Sequence, residues 1–188
     1  MDIRFVELHK KSAEYKKVTA LYFSAFPLYE RLPLFILNRK TKSGNAKFYN
    51  VFDGEQWVGF NYLIIGKGMA MLQYLAIDAN VRSKGYGRMI LEKIKNIYPD
   101  CTIVLLAEKP DEKSKNNEDR IRRKNFYLNN GFRESGYYAG QKFAAFEMLF
   151  CGKRFSIEEV FELCELYTGK LLWKMLYPLV RNKIKRDR

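Results

Sequence analysis

The stretch Thr102-Ile103-Val104-Leu105-Leu106-Ala107 constrains this chain more than any other. It carries no charge, is short for a helix, and reads as a strand buried on both faces. Such a strand needs neighbours at both edges and cover above and below, and the rest of the chain has to supply them. Just before it, residues 87–98 put Ile90, Ile94, Ile97 and Tyr98 on one helical stripe, which Pro99-Asp100 ends. Residues 70–78 read as another strand. A strand, a helix and a buried strand in succession predict a right-handed crossover between a parallel pair.

The segments before that crossover follow a different pattern. Residues 3–8 read as a strand, and residues 16–26 as a helix with Val18, Leu21, Tyr22 and Ala25 on one side. Pro27 and Pro33 punctuate a connection to a second apolar helix over residues 34–39. Strands over 46–52 and 56–65 meet at the turn Asp53-Gly54, and Gly66-Lys67-Gly68 turns the chain into 70–78, an antiparallel meander. After the buried strand, the polar residues 108–119 read as a surface loop, and residues 120–130 as a helix that Gly131 stops. Strands near 134–138 and 143–150 join at Ala139-Gly140. Ser156 and Glu159 form a capping box that opens an amphipathic helix running to about Pro178, with Gly169 able to divide it.

The predicted fold is therefore α/β (α+β): a mixed, mostly antiparallel sheet flanked by helices, parallel at its centre, with an extra C-terminal helix. At 188 residues the expected organisation is a single domain over 1–188, with an amphipathic helix at 156–180 and a basic tail at 181–188. No apolar run is long enough to span a bilayer, and the first residues lack the layout of a secretory signal, so a soluble cytoplasmic protein is expected. Glu158, Glu159, Glu162 and Glu165 oppose a membrane-surface role for the last helix. Cys101, Cys151 and Cys164 are odd in number and far apart, and His9 is the only histidine, so neither a disulfide framework nor a metal site is expected. The net charge of +13 fits an anionic ligand, an acidic surface or nucleic acid and does not choose among them. Residues 181–188 hold five positive charges and one negative, which reads as a solvated end.

Chemistry concentrates between the strand at 70–78 and the helix that follows. The turn Arg82-Ser83-Lys84-Gly85-Tyr86-Gly87 has two glycines that let the backbone bend sharply and approach a ligand, and two cations. The helix it opens presents unpaired N–H groups and the positive end of its dipole, so a pyrophosphate suits this surface. The chain has no Gly-x-x-x-x-Gly-Lys-Ser/Thr, and no Gly-x-Gly-x-x-Gly follows the strand, which leaves nucleotide-hydrolysing and dinucleotide-binding loops unsupported.

Arg82-x-Lys84-Gly85-x-Gly87 after Leu75-Ala76-Ile77-Asp78 resembles the Arg/Gln-x-x-Gly-x-Gly/Ala motif of the GNAT family of N-acetyltransferases. Phe126-Tyr127-Leu128-Asn129-Asn130-Gly131-Phe132 is similar to the same family's Tyr-x-x-x-Gly-Phe, and the order of elements agrees over residues 1–150. Residues 26–33 further look like a bacterial subgroup. The resemblance implies acetyl-CoA as cosubstrate, entering between the splayed strands at 70–78 and 102–107. Its pyrophosphate would rest on Arg82, Ser83, Lys84, Gly85, Tyr86 and Gly87, and its pantetheine on the backbone of Leu75, Ala76 and Ile77. The reaction implied is direct attack of an amine on the thioester, with no metal.

Tyr127 matches the family position of the general acid that meets the departing thiolate. No base stands out: Glu108, after the buried strand, and Glu30, in the connection bordering the acceptor side in relatives, are the candidates, each with a structural alternative. Gln73 leaves no carboxylate on the strand near the reacting centre. Two other classes stay open, an acyl-CoA-binding module without turnover and a basic nucleic-acid binder, though no ordered aromatic-basic reader motif is present. The partners expected are a CoA thioester and an amine acceptor, and the protein is expected to be a monomer or a homodimer.

Overall fold

A computed structural model describes residues 2–140 and 145–186 of the chain. Among these the fold is mixed α/β, with six helices and an eight-stranded, mostly antiparallel sheet that contains one parallel pair. The residues gather into two compact units, one of 1–65 and 72–99, the other of 66–71 and 100–188.

The first unit contains strand β1 (Ile3–Glu7), helices α1 (Tyr15–Ala25) and α2 (Leu34–Thr41), strand β2 (Ala46–Asp53), nearly all of β3 (Gln56–Gly66), most of β4 (Met69–Ile77) and helix α3 (Tyr86–Ile97). Strands β1 and β2 pair antiparallel, as do β2 and β3, and Gly54 at φ +57° makes the tight β2–β3 turn that the Asp53-Gly54 signal predicts. One face of this sheet is aromatic. Tyr22 meets Tyr74 edge-on at 5.1 Å, Phe26 meets Tyr74 at 4.8 Å, and Phe48 meets Phe60 and Tyr62 at 5.6 and 5.3 Å. Helix α3 buries Ile90 and Ile94 of the expected stripe with Leu91 beside them, whereas Ile97 is exposed and Tyr98 lies half-buried just past the helix end.

The second unit starts at the first residues of β4, which pair in parallel with β5 (Thr102–Glu108) from Met69↔Thr102 to Met71↔Val104. The parallel pair that the crossover pattern predicts is thus present. Strand β5 continues antiparallel with β7 (Ala145–Cys151), and β7 with β6 (Arg133–Gly140). Helix α4 (Asn117–Asn129) ends as expected at Gly131, left-handed at φ +84°. The capping box of Ser156 and Glu159 is formed and starts α5 (Ile157–Thr168). Phe143, expected to begin a strand, and the tail residues Asp187 and Arg188 lie outside the described residues.

The last amphipathic stretch is two helices, α5 and α6 (Lys170–Lys183), divided at Gly169 with φ +94° and ψ 147°, where the sequence allowed a break. Three expectations are corrected. Helix α6 does not stop near Pro178. A proline forfeits one bond, to the carbonyl four residues back, and Pro178 sits on an exposed side where water replaces it. The packing of Phe161 against Trp173 and Tyr177, at 6.0 and 5.4 Å, holds the rest. The basic end is not merely a solvated tail either: strand β8 (Ile184–Arg186) pairs with β6 from Tyr137↔Arg186 to Ala139↔Ile184. Finally, Glu108 belongs to β5 and is buried, so the loop expected at 108–119 is shorter on both sides.

Candidate active site

Strand β4 presents Leu75 and Ile77 half-buried and Ala76 buried, then ends at Asp78. A neighbouring residue decides how close the Ala76 carbonyl comes. A Cβ on Gly59 of β3 would lie 2.1 Å from the Ala76 oxygen, so only glycine allows this approach. The register of β2 on β3 slips there, from Val51↔Gly59 to Phe52↔Trp57, which marks a bulge. An isolated glycine within a strand pattern is the sequence signal that could have found it.

After β4 the Asp78 carboxylate accepts from the Asn80 backbone N–H at 2.9 Å and starts a single 3₁₀ turn, Ala79–Val81, that buries Val81. Arg82 donates from Nε to the Ile77 carbonyl at 3.2 Å, so its side chain folds back along the strand end. Ser83, at φ +64°, is the only residue other than glycine with positive φ among the described residues, and Gly85 follows at +79°. This double left-handed path lifts exposed Arg82, Ser83, Lys84 and Gly85 to the head of α3. Gly85 has no side chain with which to cap the amides that follow, and they stay open to an anion. Tyr86 departs from its neighbours. Its ring is buried and its hydroxyl donates to Asp53 Oδ2 at 3.0 Å, leaving only its backbone for a ligand.

Glu30 is half-buried in the α1–α2 connection, whose backbone the aromatic layer holds. Tyr74 donates to the Glu30 carbonyl at 2.7 Å and accepts from the Leu32 N–H at 3.0 Å, while Tyr22 donates to the Leu32 carbonyl at 2.8 Å. Tyr22 was legible as core from its spacing, Tyr74 was not singled out, and neither was legible as an anchor of this connection.

In the second unit Tyr127 sits on α4, its ring against Phe126 at 5.2 Å and Phe132 at 5.6 Å. Its hydroxyl has no hydrogen-bond partner among the described residues. Part of the side chain reaches solvent, yet burial raises the phenol pKa and outweighs the opposing influence of the Arg123 guanidinium. Glu108 lies in a cationic nest: Arg120 reaches Oε1 at 3.2 Å, Arg123 reaches Oε2 at 3.4 Å, and Asn116 stands at 3.5 Å. One helical turn beyond Arg120, Lys124 bridges Glu147 at 2.8 Å and Glu134 at 2.5 Å. Two buried carboxylates, Glu108 and Glu147, thus dock the helix that carries Tyr127. Their signal was a glutamate inside or beside an otherwise apolar strand run, which demands a cation.

Among the described residues no cluster of His, Cys, Asp and Glu could hold a metal ion, and the three cysteines are free. No helix is long and apolar enough to cross a membrane.

A mostly antiparallel sheet with one parallel pair, and a basic glycine turn heading the helix after the fourth strand, are the features on which this chain compares with known proteins. The model of the acetyltransferase (GNAT) domain matches residues 44–134. A protein from Bacteroides thetaiotaomicron assigned as a GNAT-family acetyltransferase is 26% identical, with a TM-score of 0.71, over 88% of this chain and 97% of its own. The spermidine N-acetyltransferase of Vibrio cholerae, solved with CoA and spermine, shares the fold at a TM-score of 0.61 and 13% identity, over 79% of this chain and 94% of its own. A Bacillus subtilis acetyltransferase in complex with CoA does so at 0.55 and 15%, over 80% and 97%. No curated protein sequence matches the chain.

Proposed function

We propose that the chain transfers the acetyl group of acetyl-CoA directly to a primary amine. The observation that carries this reading is the turn at the head of α3, where Ser83 and Gly85 take left-handed backbone beside Arg82 and Lys84. Open amides, the helix dipole and two cations suit the doubly charged pyrophosphate of coenzyme A. Arg82, Ser83, Lys84, Gly85 and Gly87, with the Tyr86 backbone, hold that group, and the backbone of Leu75, Ala76 and Ile77 pairs with the pantetheine. CoA in two of the structural relatives supports the choice of cosubstrate.

In direct transfer the amine nitrogen forms a bond to the thioester carbon, the carbon–sulfur bond breaks, and CoA leaves as thiolate while the nitrogen loses a proton. Alignment of the two substrates supplies roughly 7–11 kcal/mol of the barrier. A backbone donor at the forming oxyanion adds about 3–4 kcal/mol. Tyr127 keeps its proton throughout the neutral range, because its pKa is raised. Full transfer from a phenol of pKa about 10 or more to a thiolate of about 8.5 is uphill by roughly 2 kcal/mol. Tyr127 therefore acts chiefly by donating a hydrogen bond to the departing sulfur. Of the two candidate bases, Glu108 is buried and spends its two carboxylate oxygens on Arg120 and Arg123, so its place is in seating α4. Glu30 remains the better candidate, receiving the amine proton directly or through water.

The test is calorimetric titration of the protein with acetyl-CoA, alongside Arg82→Ala/Lys84→Ala. Saturable binding that weakens at least tenfold in the double variant supports the assignment, and release of CoA thiol then screens primary amines. No binding by folded protein at millimolar acetyl-CoA overturns it.

A further inference from the structure

We infer that α6 docks the protein on an anionic lipid surface, a role independent of the acetyl transfer proposed above. Leu171, Met175 and Leu179 follow one another at every fourth position, with Leu172 beside them, and they are 83%, 71%, 60% and 48% exposed. At 3.6 residues per turn this ridge lies nearly opposite Trp173, which is buried and packs on Phe161 and Tyr177. The helix thus spends one apolar face on its own unit and turns a second outward. Four large aliphatic side chains along three turns exceed the scattered apolar exposure normal for a surface helix.

Charge identifies what covers the ridge. From Lys170 to Arg186 there are six cations (Lys170, Lys174, Arg181, Lys183, Lys185 and Arg186) and no acid. None of the six has an ion-pair partner among the described residues. The glutamates that argue against a membrane stand on α5, a separate helix, where Glu158, Glu162 and Glu165 share a groove with Lys170 and Lys174 and more than offset those two. The other four gather at the far end of the ridge, where β8 is fixed to β6. An exposed Leu/Met ridge with cations at its flank and end fits the boundary between lipid headgroups and acyl chains. A second copy with the helices parallel fits worse, because that isologous contact sets the two cationic ends against each other. Nucleic acid leaves the leucines without a partner.

The test is co-sedimentation of the full chain with vesicles of phosphatidylcholine alone and with about 30% phosphatidylserine added. Wild type binds only the phosphatidylserine vesicles, and binding falls as salt rises. Leu171→Ser/Met175→Ser/Leu179→Ser reduces that binding at least tenfold, as does Lys183→Glu/Lys185→Glu, while far-ultraviolet circular dichroism matches wild type. Absence of wild-type binding overturns the proposal. So does undiminished binding by the ridge variant. A dimer that the ridge variant turns into monomer, with vesicles ignored by both proteins, assigns the face to a second copy and overturns it too. Duplex DNA bound equally by wild type and ridge variant, with vesicles ignored, does the same in favour of nucleic acid.

Discussion

At Gly59 a single hydrogen atom decides whether β4 can present Leu75, Ala76 and Ile77 as it does. Alanine there would meet the Ala76 oxygen at 2.1 Å, and backbone would have to move. Gly59→Ala is expected to cost about 2–4 kcal/mol, as a strained backbone site does, and to weaken acetyl-CoA binding, read by urea unfolding and calorimetry. At Gly85 a Cβ meets nothing within 4 Å but the backbone stands at φ +79°. Gly85→Ala should cost about 1–2 kcal/mol and affect binding more than stability. For Tyr127 the expectation concerns turnover. Tyr127→Phe lowers kcat by about 10²-fold, with the acetyl-CoA dissociation constant unchanged. Equal kcat in the two proteins would reduce Tyr127 to a packing residue.

Helix α4 illustrates what an element needs when its sequence is polar. Of its residues only Arg120 is buried, and apolar contact alone cannot seat it. Ion pairs do so instead, buried ones of Arg120 with Glu108 and Lys124 with Glu147, and an exposed one of Lys124 with Glu134. Removing one partner strands the other, so Lys124→Met should destabilise by about 3 kcal/mol, the low end for a broken buried pair because Lys124 keeps 21% exposure. Burial alone would lower the Lys124 pKa, but the hydrogen bonds that its ammonium donates to Glu134 and Glu147 prevail and raise it. A raised folded pKa means stability that is complete below the unfolded value of about 10.4 and lost as pH climbs through the folded one. The gap between wild type and Lys124→Met should therefore be flat from pH 7 to about 9 and narrow only in stronger alkali, measured by urea unfolding across that range.

For the molecule as a whole, ligand binding and stability are linked. Acetyl-CoA at about a hundred times its dissociation constant should add about 2.7 kcal/mol to the free energy of unfolding. In a chain of this size that raises Tm by roughly 5–10 °C, which thermal scanning fluorimetry would register. The Arg82→Ala/Lys84→Ala protein should show little of this shift at the same concentration.

Local signals determined much of this protein. Periodicity, glycine turns and a capping box set the order of strands and helices. The apolar strand run set the parallel pair, and the basic Gly-x-Gly turn singled out the head of α3. Each rests on residues near one another in sequence, whose backbone preferences and burial pattern act over a few positions. Tertiary structure alone decided what depends on distant partners. It drew Glu108 out of an expected loop because Arg120 and Arg123 neutralise it. It turned the Tyr86 ring inward to Asp53. It carried α6 past Pro178, because packing outweighed one missing hydrogen bond, and it made a strand of the basic tail, because β6 had an open edge for it. The outward apolar ridge of α6 belongs with these. The sequence shows one continuous stripe of apolar residues, and only the seating of Trp173 shows which of them were left for something else.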